Sequence, residues 1–413
     1  PPGTAAGGEE TARRTEDARP PGTAAGGEET ARRTEDARPP GTAAGGEETA
    51  RRTEDAPPPS LRSVRPPVTP HIARWDLDKT YLRTEFDSLK DLVRTAFERP
   101  DEKRANPGAP TMLRELTRAG SQIHILSGSP EQMRSSLERK LKLDGVAWAS
   151  FVLKPNLQNL LRFRFRALRD QLGYKLPALL QARVSGIARG GAEGAFVREA
   201  KESLFGDDAE ADAFVYALYG DLVAGRIGPA VIGEVLARGR LYEDVASTTL
   251  ALARALPPHD PVERILIHLE GQSDPAVFDR YGGRVVPFYN YLQAAFVLFE
   301  DGRLDASAVL RIGGEFVREH RFDGSRLARS YQELAQRGHV SGVRLSLLAE
   351  AYDAAAAAGE PIATPDMLRF TTDVQRFASL AADRGADRRS RGTFIPNYVD
   401  LVLHHNKRRT KPR

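Results

Sequence analysis

From about Leu61 onward, short apolar runs alternate with longer segments that have the apolar period of helices, and this alternation constrains the fold more than any other feature. It is typical of an α/β fold, because each parallel strand needs a helical crossover before the next strand. We expect strands at residues 72–75, 122–126, 148–153, 203–205 and 264–269. The sequence therefore predicts an α/β fold with a parallel sheet and flanking helices.

Helices are predicted between the strands and again in the part of the chain beyond residue 300. Two helices, near residues 89–97 and 112–116, should lie between the first two strands. After the second strand, Ser129 is suited to be a helix N-cap, with Pro130 at the first helical position and Gln132 placed for a capping box. Beyond residue 300 the chain has no further strand pattern, and amphipathic helices are expected at residues 309–322, 327–335, 343–358 and 365–382.

The first 56 residues are three tandem copies of PPGTAAGGEETARRTEDA, with one arginine after each of the first two copies. This repeat arm contains no aromatic residue and no aliphatic residue larger than alanine. Such a composition cannot bury enough apolar surface to offset the entropy of ordering, so we expect disorder. The predicted organisation is a disordered arm at 1–60, an α/β domain at 61–300 and a helical region at 301–413.

Composition excludes several classes of function. The chain contains no cysteine, which rules out disulfides, thiolate metal sites and cysteine nucleophiles. The 60 basic and 56 acidic residues leave a net charge of +4, too small an excess to indicate nucleic acid by itself. No uncharged run approaches the roughly 18 residues of a spanning helix. We therefore expect a cytoplasmic protein.

Two carboxylates stand at the end of the first predicted strand. Asp76 and Asp78, in the segment DLDKT, are two residues apart and can face the same small site. In an open α/β sheet, ligands bind at this edge. Two like charges so close need a cation or a shared proton, and both suit phosphoryl transfer, in which one carboxylate attacks phosphorus and its neighbour protonates the leaving oxygen.

A serine and an acidic pair follow later strands. Ser127, in SGSP, ends the second strand where a helix is expected to begin, and a helix N-terminus with a nearby hydroxyl can bind an anion. Asp207 and Asp208, in GDD, follow a short apolar run, with Asp212 soon after. Gathered with Asp76, such hard oxygen ligands are what Mg²⁺ selects. The sequence thus predicts a magnesium and phosphate site.

In this order, DLDKT, SGS, a lysine and GDDxxxD resemble the four motifs of the haloacid dehalogenase superfamily over roughly residues 70–300. The resemblance implies a Rossmann-like sheet and an Mg²⁺-dependent phosphatase that forms an aspartyl phosphate. Asp76 would be the nucleophile and Asp78 the general acid and base. Ser127 would bind the transferring phosphoryl group, and Thr80 would brace the first loop.

The same resemblance implies a metal site made of Asp76, Asp207 and Asp208, with Asp78 reaching the metal through its backbone carbonyl. The motif lysine is assigned to Lys175, while Lys154 and Lys201 are alternatives. This lysine would neutralise both the phosphorylated aspartate and the carboxylates.

Within that superfamily, the sequence is most similar to the catalytic domain of fungal actin-patch phosphatidate phosphatases and their bacterial relatives. The shared features are DxDxT after a proline-rich lead-in, PGAPTML, SGSP, FVLK and GDD followed by Asp212. Lys79 stands where that family usually has an aspartate, and residues 182–200 resemble an insertion. Both departures bear on the substrate more than on the chemistry.

The spacing of the motifs also bears on substrate size. Only about 46 residues separate Thr80 from Ser127, which leaves no room for a large cap domain there. An uncapped site suits a bulky substrate such as phosphatidate, and the alternatives are a phosphoprotein, a nucleic-acid end or a catalytically silent scaffold. Arginines alternate with apolar residues at 160–172, and residues 404–413 form a basic tail. The first segment suits either contact with anionic lipid or a core-packed helix with a solvated basic face. The tail suits anionic lipid, a nucleic acid or simple solvation.

Overall fold

The computed structural model of the chain describes residues 69–82, 104–154, 168–209, 211–389 and 394–408, without the side chains of 380–389 and 406–408. The predicted repeat arm, the helix near 89–97, most of the basic segment at 160–172 and the last residues of the tail lie outside this part. The described residues belong to one compact unit. None of the helices in the described ranges is both long and apolar enough to cross a membrane.

Six parallel strands form a single sheet, in the spatial order β3-β2-β1-β4-β5-β6. The α/β fold with a parallel sheet is therefore confirmed, as are the five predicted strand positions. A sixth strand was not predicted. The strands are β1 His71–Trp75, β2 Gln122–Pro130, β3 Ser150–Lys154, β4 Lys201–Asp207, β5 Val262–His268 and β6 Val285–Phe288.

Helices cover both faces of this sheet, as parallel strands require. Those before β5 are α1 Ala109–Arg118, α2 Arg134–Leu143, α3 Leu168–Ala188, α4 Gly191–Glu199, α5 Asp212–Val223, α6 Pro229–Arg238 and α7 Glu243–Arg254. Those after β6 are α8 Tyr291–Glu300, α9 Ala306–His320, α10 Gly324–Gln336, α11 Ser346–Ala357, α12 Pro365–Arg389 and α13 Tyr398–Arg408.

Alternation along the strands divides the core into two layers. Phe205 and Leu266 point to one face, where they join side chains of α1, α2 and α8–α12. Leu204 and Ile265 point to the other face, toward α3, α5, α6 and α13. Residues on both sides of position 300 share the first layer. Within it, Phe296 of α8 packs against aromatic rings of α10 and α12.

The order of strands fixes where a ligand can bind. β1 lies in the middle, with β2 on one side and β4 on the other. Crossovers leave β1 in one direction and return on the other side, which opens a crevice at the carboxyl ends of the strands. All five residues of β1 are buried, so the loop that follows starts from a rigid strand.

The turn after β2 differs from the sequence prediction. The extended backbone continues through Pro130, a 3₁₀ turn occupies Glu131–Met133, and α2 begins only at Arg134. The expected N-cap at Ser129 with Pro130 at the first helical position is therefore wrong. Pro130 has extended dihedral angles and pairs with Lys154 of β3, so Ser129 and Pro130 belong to the strand rather than to the helix.

Candidate active site

Asp76 lies directly after β1, at the crevice. Its backbone N–H donates to the Phe205 carbonyl at 3.0 Å, which extends the β1–β4 ladder by one bond and fixes the backbone of this residue. The side chain is fully buried, and the Thr80 hydroxyl lies 3.4 Å from its Oδ2. A buried carboxylate on so rigid a support has little freedom to reorient.

Three carboxylates converge at this position. Single oxygen atoms of Asp76, Asp207 and Asp212 lie within 4.8 Å of one another, and all three residues are buried. Asp207 is the last residue of β4 and Asp212 is the first of α5. The end of β4 and the start of α5 therefore each place one carboxylate beside β1. Asp212 Oδ2 also accepts from the Asp207 backbone N–H at 3.2 Å.

Gly206 makes the approach of Asp212 possible. A Cβ atom on this glycine would lie 2.5 Å from the Cβ of Asp212, closer than real Cβ contacts come. The glycine of GDD is therefore needed because any side chain would push the Asp212 carboxylate away. No local sequence pattern predicts a glycine here, because its contact with Asp212 arises only in the folded chain.

Lys175 contacts two of these three carboxylates. Its Nζ lies 3.1 Å from Asp76 Oδ1 and 2.5 Å from Asp212 Oδ1. The lysine is fully buried within α3. Of the three candidates from sequence, Lys154 instead lies at the end of β3, and Lys201 donates to the Asp260 carbonyl at 2.8 Å.

The charges of this group do not balance. Three carboxylates and one ammonium, when ionised, leave two net negative charges among groups that are at most 1% exposed. A buried net negative charge is costly unless a cation offsets it, and a divalent cation would offset both charges of this group. The three aspartates offer carboxylate oxygens, the kind of ligand atom that Mg²⁺ prefers. The donor set therefore fits a magnesium ion.

Asp78 has a different environment from Asp76. The hydroxyl of Ser127 donates to its Oδ2 at 3.0 Å, and the hydroxyl of Ser129 lies 3.0 and 2.9 Å from its two oxygens. Asp78 is only partly buried. Ser127 also accepts from the Ser129 backbone N–H at 3.0 Å, so this N–H is engaged within the loop. Asp78 and the SGS loop therefore form one hydrogen-bonded unit at the crevice.

Asp208 stands apart from the three converging carboxylates. Its Oδ1 accepts from the Gly271 N–H at 2.6 Å and its Oδ2 from the Ser273 N–H at 2.8 Å. Both donors belong to the loop after β5. Asp208 thus ties that loop to the end of β4, whereas the residue beside Asp76 and Asp207 is Asp212.

Residues that sequence reasoning missed hold the loop after Asp78. The Asn106 amide donates to the carbonyls of Lys79 and Thr80 at 3.0 and 2.9 Å, and the Tyr291 hydroxyl donates to the Thr80 carbonyl at 2.6 Å. Lys79 has a φ of 59°, a conformation uncommon outside glycine, which these bonds help to maintain. Burial and the nearby charge of Asp76 raise the pKa of Tyr291, so its hydroxyl keeps its proton as a donor.

Tyr174 links the site to α3. Its hydroxyl donates to the Ser127 carbonyl at 2.8 Å, and burial raises the pKa of this phenol despite the opposing effect of Lys175.

The chain was compared with known proteins, and no match was found. No protein-family model, no curated protein and no solved structure matches it.

Proposed function

We propose that this protein is a Mg²⁺-dependent phosphomonoesterase of the haloacid dehalogenase type, acting on phosphatidate or another bulky phosphorylated substrate. The proposal rests on one observation. At the carboxyl end of β1, the charged side-chain atoms of four buried residues lie close together, namely those of Asp76, Asp207, Asp212 and Lys175. Beside it lies a second carboxylate, Asp78, that is partly exposed. One carboxylate is held for attack and the other is accessible for proton transfer.

In the first step, an Asp76 carboxylate oxygen attacks phosphorus, and the bond from phosphorus to the ester oxygen breaks. Asp78, protonated, gives its proton to the leaving alcohol, so that no free alkoxide forms. The hydroxyls of Ser127 and Ser129 keep the Asp78 carboxyl at the crevice. The products of this step are the alcohol and an aspartyl phosphate, the acyl phosphate formed on Asp76.

In the second step, water attacks the phosphorus of the aspartyl phosphate while Asp78 takes the water proton. The bond from phosphorus to Asp76 breaks, which releases inorganic phosphate and restores the Asp76 carboxylate. Lys175, 3.1 Å from Asp76 Oδ1, holds a fixed positive charge beside the oxygen that changes charge in both steps. Because the lysine is already oriented, no reorganisation is needed during the reaction.

Asp76, Asp207 and Asp212 are the residues that would hold Mg²⁺, which when bound neutralises the carboxylates and the phosphate and so permits anionic attack on an anionic ester. Asp208 and the Asp78 carbonyl, implied as ligands by the family resemblance, remain part of the proposal. In the described geometry the Asp208 side chain is occupied by backbone donors.

The test is phosphate release from short-chain phosphatidate, a phosphopeptide and a 3′-phosphorylated oligonucleotide, with Mg²⁺ and with excess chelator. We expect release from at least one substrate, its loss on chelation and its recovery with Mg²⁺. Asp76→Asn should abolish turnover with an unchanged melting temperature, and Asp78→Asn should lower kcat by about 10²-fold or more. Release by Asp76→Asn at the wild-type rate, or no release by wild type, would refute the proposal.

A further inference from the structure

The first turn of α1 is held by a carboxylate from a distant helix. Gly108, just before α1, has no side chain to cap the helix, and the first turn contains no acidic residue. Glu315, in α9, supplies both functions. One of its oxygens accepts from the Gly108 N–H at 2.8 Å and the other from the Thr111 hydroxyl. A negative charge here also faces the positive end of the helix dipole, so Glu315 fixes the start of α1.

The turn before α1 also holds the loop that follows Asp78. Asn106 lies two residues before Gly108, is buried, and accepts at its carbonyl from the first N–H of α1 at 3.0 Å. Its side-chain amide donates to the carbonyls of Lys79 and Thr80. Because Asn106 and Gly108 belong to one turn, a shift at the start of α1 moves the amide on which the loop depends.

Helices α8 and α9 enclose this turn closely. Gly108 has a φ of 83°, and a Cβ added to it would lie 2.9 Å from the ring of Phe316 and from the Cβ of Tyr291. Only glycine fits both the backbone conformation and the space. The Tyr291 hydroxyl is the second side-chain donor to the Thr80 carbonyl. The turn and the loop are therefore packed against the part of the chain that begins at α8.

A continuous series of contacts thus joins Glu315 to Asp78. It runs from Glu315 to the backbone of Gly108 and on to Asn106. The Asn106 amide then holds the carbonyl of Lys79, the residue after Asp78. Lys79 has a φ of 59°, which a residue other than glycine keeps only where its surroundings enforce it. Release of the Asn106 amide would let Lys79 relax and would turn Asp78 away from its present direction.

We infer that Glu315 is a positioning residue for Asp78, acting through the start of α1 and Asn106. The inference rests on the proposed phosphatase activity, in which Asp78 protonates the leaving alcohol. It gives α9 a role in catalysis, although this helix carries no motif residue. Replacement of Glu315 should therefore impair the reaction most where the leaving group needs the Asp78 proton.

The experiment compares two leaving groups. The alkyl ester is whichever of dihexanoyl phosphatidate, a phosphoserine peptide and a 3′-phosphorylated oligonucleotide wild type hydrolyses fastest, and the aryl ester is 4-nitrophenyl phosphate. An alkoxide must be protonated as it leaves, whereas 4-nitrophenolate is stable without a proton. Glu315→Ala should lower kcat/KM about 10-fold or more for the alkyl ester and about threefold or less for the aryl ester.

Glu115→Ala is the matched control. Glu115 is also buried and also joins α1 to α9, because it accepts from Arg311 at 2.9 and 2.7 Å, but it lies further along α1, away from the loop. Both variants should lower the melting temperature, yet Glu115→Ala should keep the wild-type ratio of kcat/KM for the two esters. Glu315→Gln keeps an acceptor for the Gly108 N–H and should show a smaller loss of the same kind. It carries the test if Glu315→Ala does not fold.

A second background tests whether Glu315 acts through Asp78. Asp78→Asn removes the proton donor, so Glu315→Ala should add no further loss on the alkyl ester in that background. Equal losses on the two esters, no loss on either, or full additivity with Asp78→Asn would overturn the inference while leaving the phosphatase activity intact. If wild type releases no phosphate from any of these esters, the proposed function fails instead.

Amide hydrogen exchange tests the positioning without a substrate. The N–H groups of Tyr81 and Leu82 donate to the Leu77 carbonyl at 3.0 and 2.9 Å and so report on the loop around Asp78. At a temperature where each variant is folded, both groups should exchange faster in Glu315→Ala than in Glu115→Ala. Equal exchange in the two variants would overturn the inference, whatever the enzyme hydrolyses.

Discussion

Protonation of a histidine in the central strand should make this protein sensitive to mild acid. His71 is 4% exposed in β1, and its ring nitrogens lie 2.8 Å from the Ser121 hydroxyl and 3.0 Å from the Ser203 hydroxyl. Burial first, and the positive charge of Arg303 second, lower its pKa from 6.5 to about 3. The folded protein therefore holds His71 neutral across the range in which an unfolded chain would protonate it.

The sign of the effect follows from proton binding. Below pH 6.5 the unfolded chain gains a proton at His71 that the folded protein does not gain until about pH 3, so stability falls as pH falls through this window. The slope approaches about 1.4 kcal/mol per pH unit once the unfolded histidine is fully protonated, and about 2 kcal/mol is lost between pH 6.5 and 4.5. Above about pH 7.5 this residue adds almost no pH dependence.

His71→Gln tests the argument, because an amide can still exchange hydrogen bonds with both serines but cannot be protonated. Free energies of unfolding from urea titrations at pH 4.5 to 7.5 should show a slope smaller by about 1.4 kcal/mol per pH unit in the variant than in wild type between pH 4.5 and 5.5, and equal slopes near pH 7.5. His404→Gln, an exposed position near the end of α13, is the matched control and should keep the wild-type slope. Parallel curves for His71→Gln and wild type would refute the reasoning.

Three other predictions concern the interior, the site and the N-terminal arm. Glu202→Gln removes the carboxylate that pairs with two buried arginines and should cost about 3 to 5 kcal/mol in urea unfolding, whereas Glu234→Gln, in an exposed pair, should cost under about 1 kcal/mol. Gly206→Ala should displace Asp212 and lower both kcat and Mg²⁺ affinity, while Gly233→Ala, whose added Cβ meets nothing within 4 Å, should leave both unchanged; wild-type values for both variants would contradict the crowding argument. Deletion of the repeat arm should leave the melting temperature and kcat unchanged, and a fall in either would mean that the arm contacts the fold.

The strands were predictable because buried parallel strands are short, apolar and separated by helical segments. β6 was missed because Pro287 interrupts its apolar run, and proline argues against a central strand. In the described sheet β6 pairs only with β5, at an edge, where a missing N–H is tolerated. The sequence could not indicate which position was the edge.

For the site, the sequence predicted which strand ends carry acidic residues, but not which of these residues lie close together in the fold. Asp76 and Asp207 meet because β1 and β4 are neighbours, a pairing that follows from topology. Lys175 was preferred among three lysines from its place near a predicted helix start, but its contact with Asp76 depends on the path of α3 across the sheet. Ser129 was assigned to a helix cap because capping rules are local, whereas its partner, Asp78, is 51 residues away in sequence.

The shared core layer has a consequence for anyone seeking a minimal catalytic fragment. Tyr291, which holds the Thr80 carbonyl, begins the same helix whose Phe296 packs 5.1 Å from the ring of Tyr331 and 6.0 Å from that of Phe370. A chain cut after residue 300 would retain every motif residue yet expose the apolar side of α8. The shortest autonomous unit should therefore extend through α12.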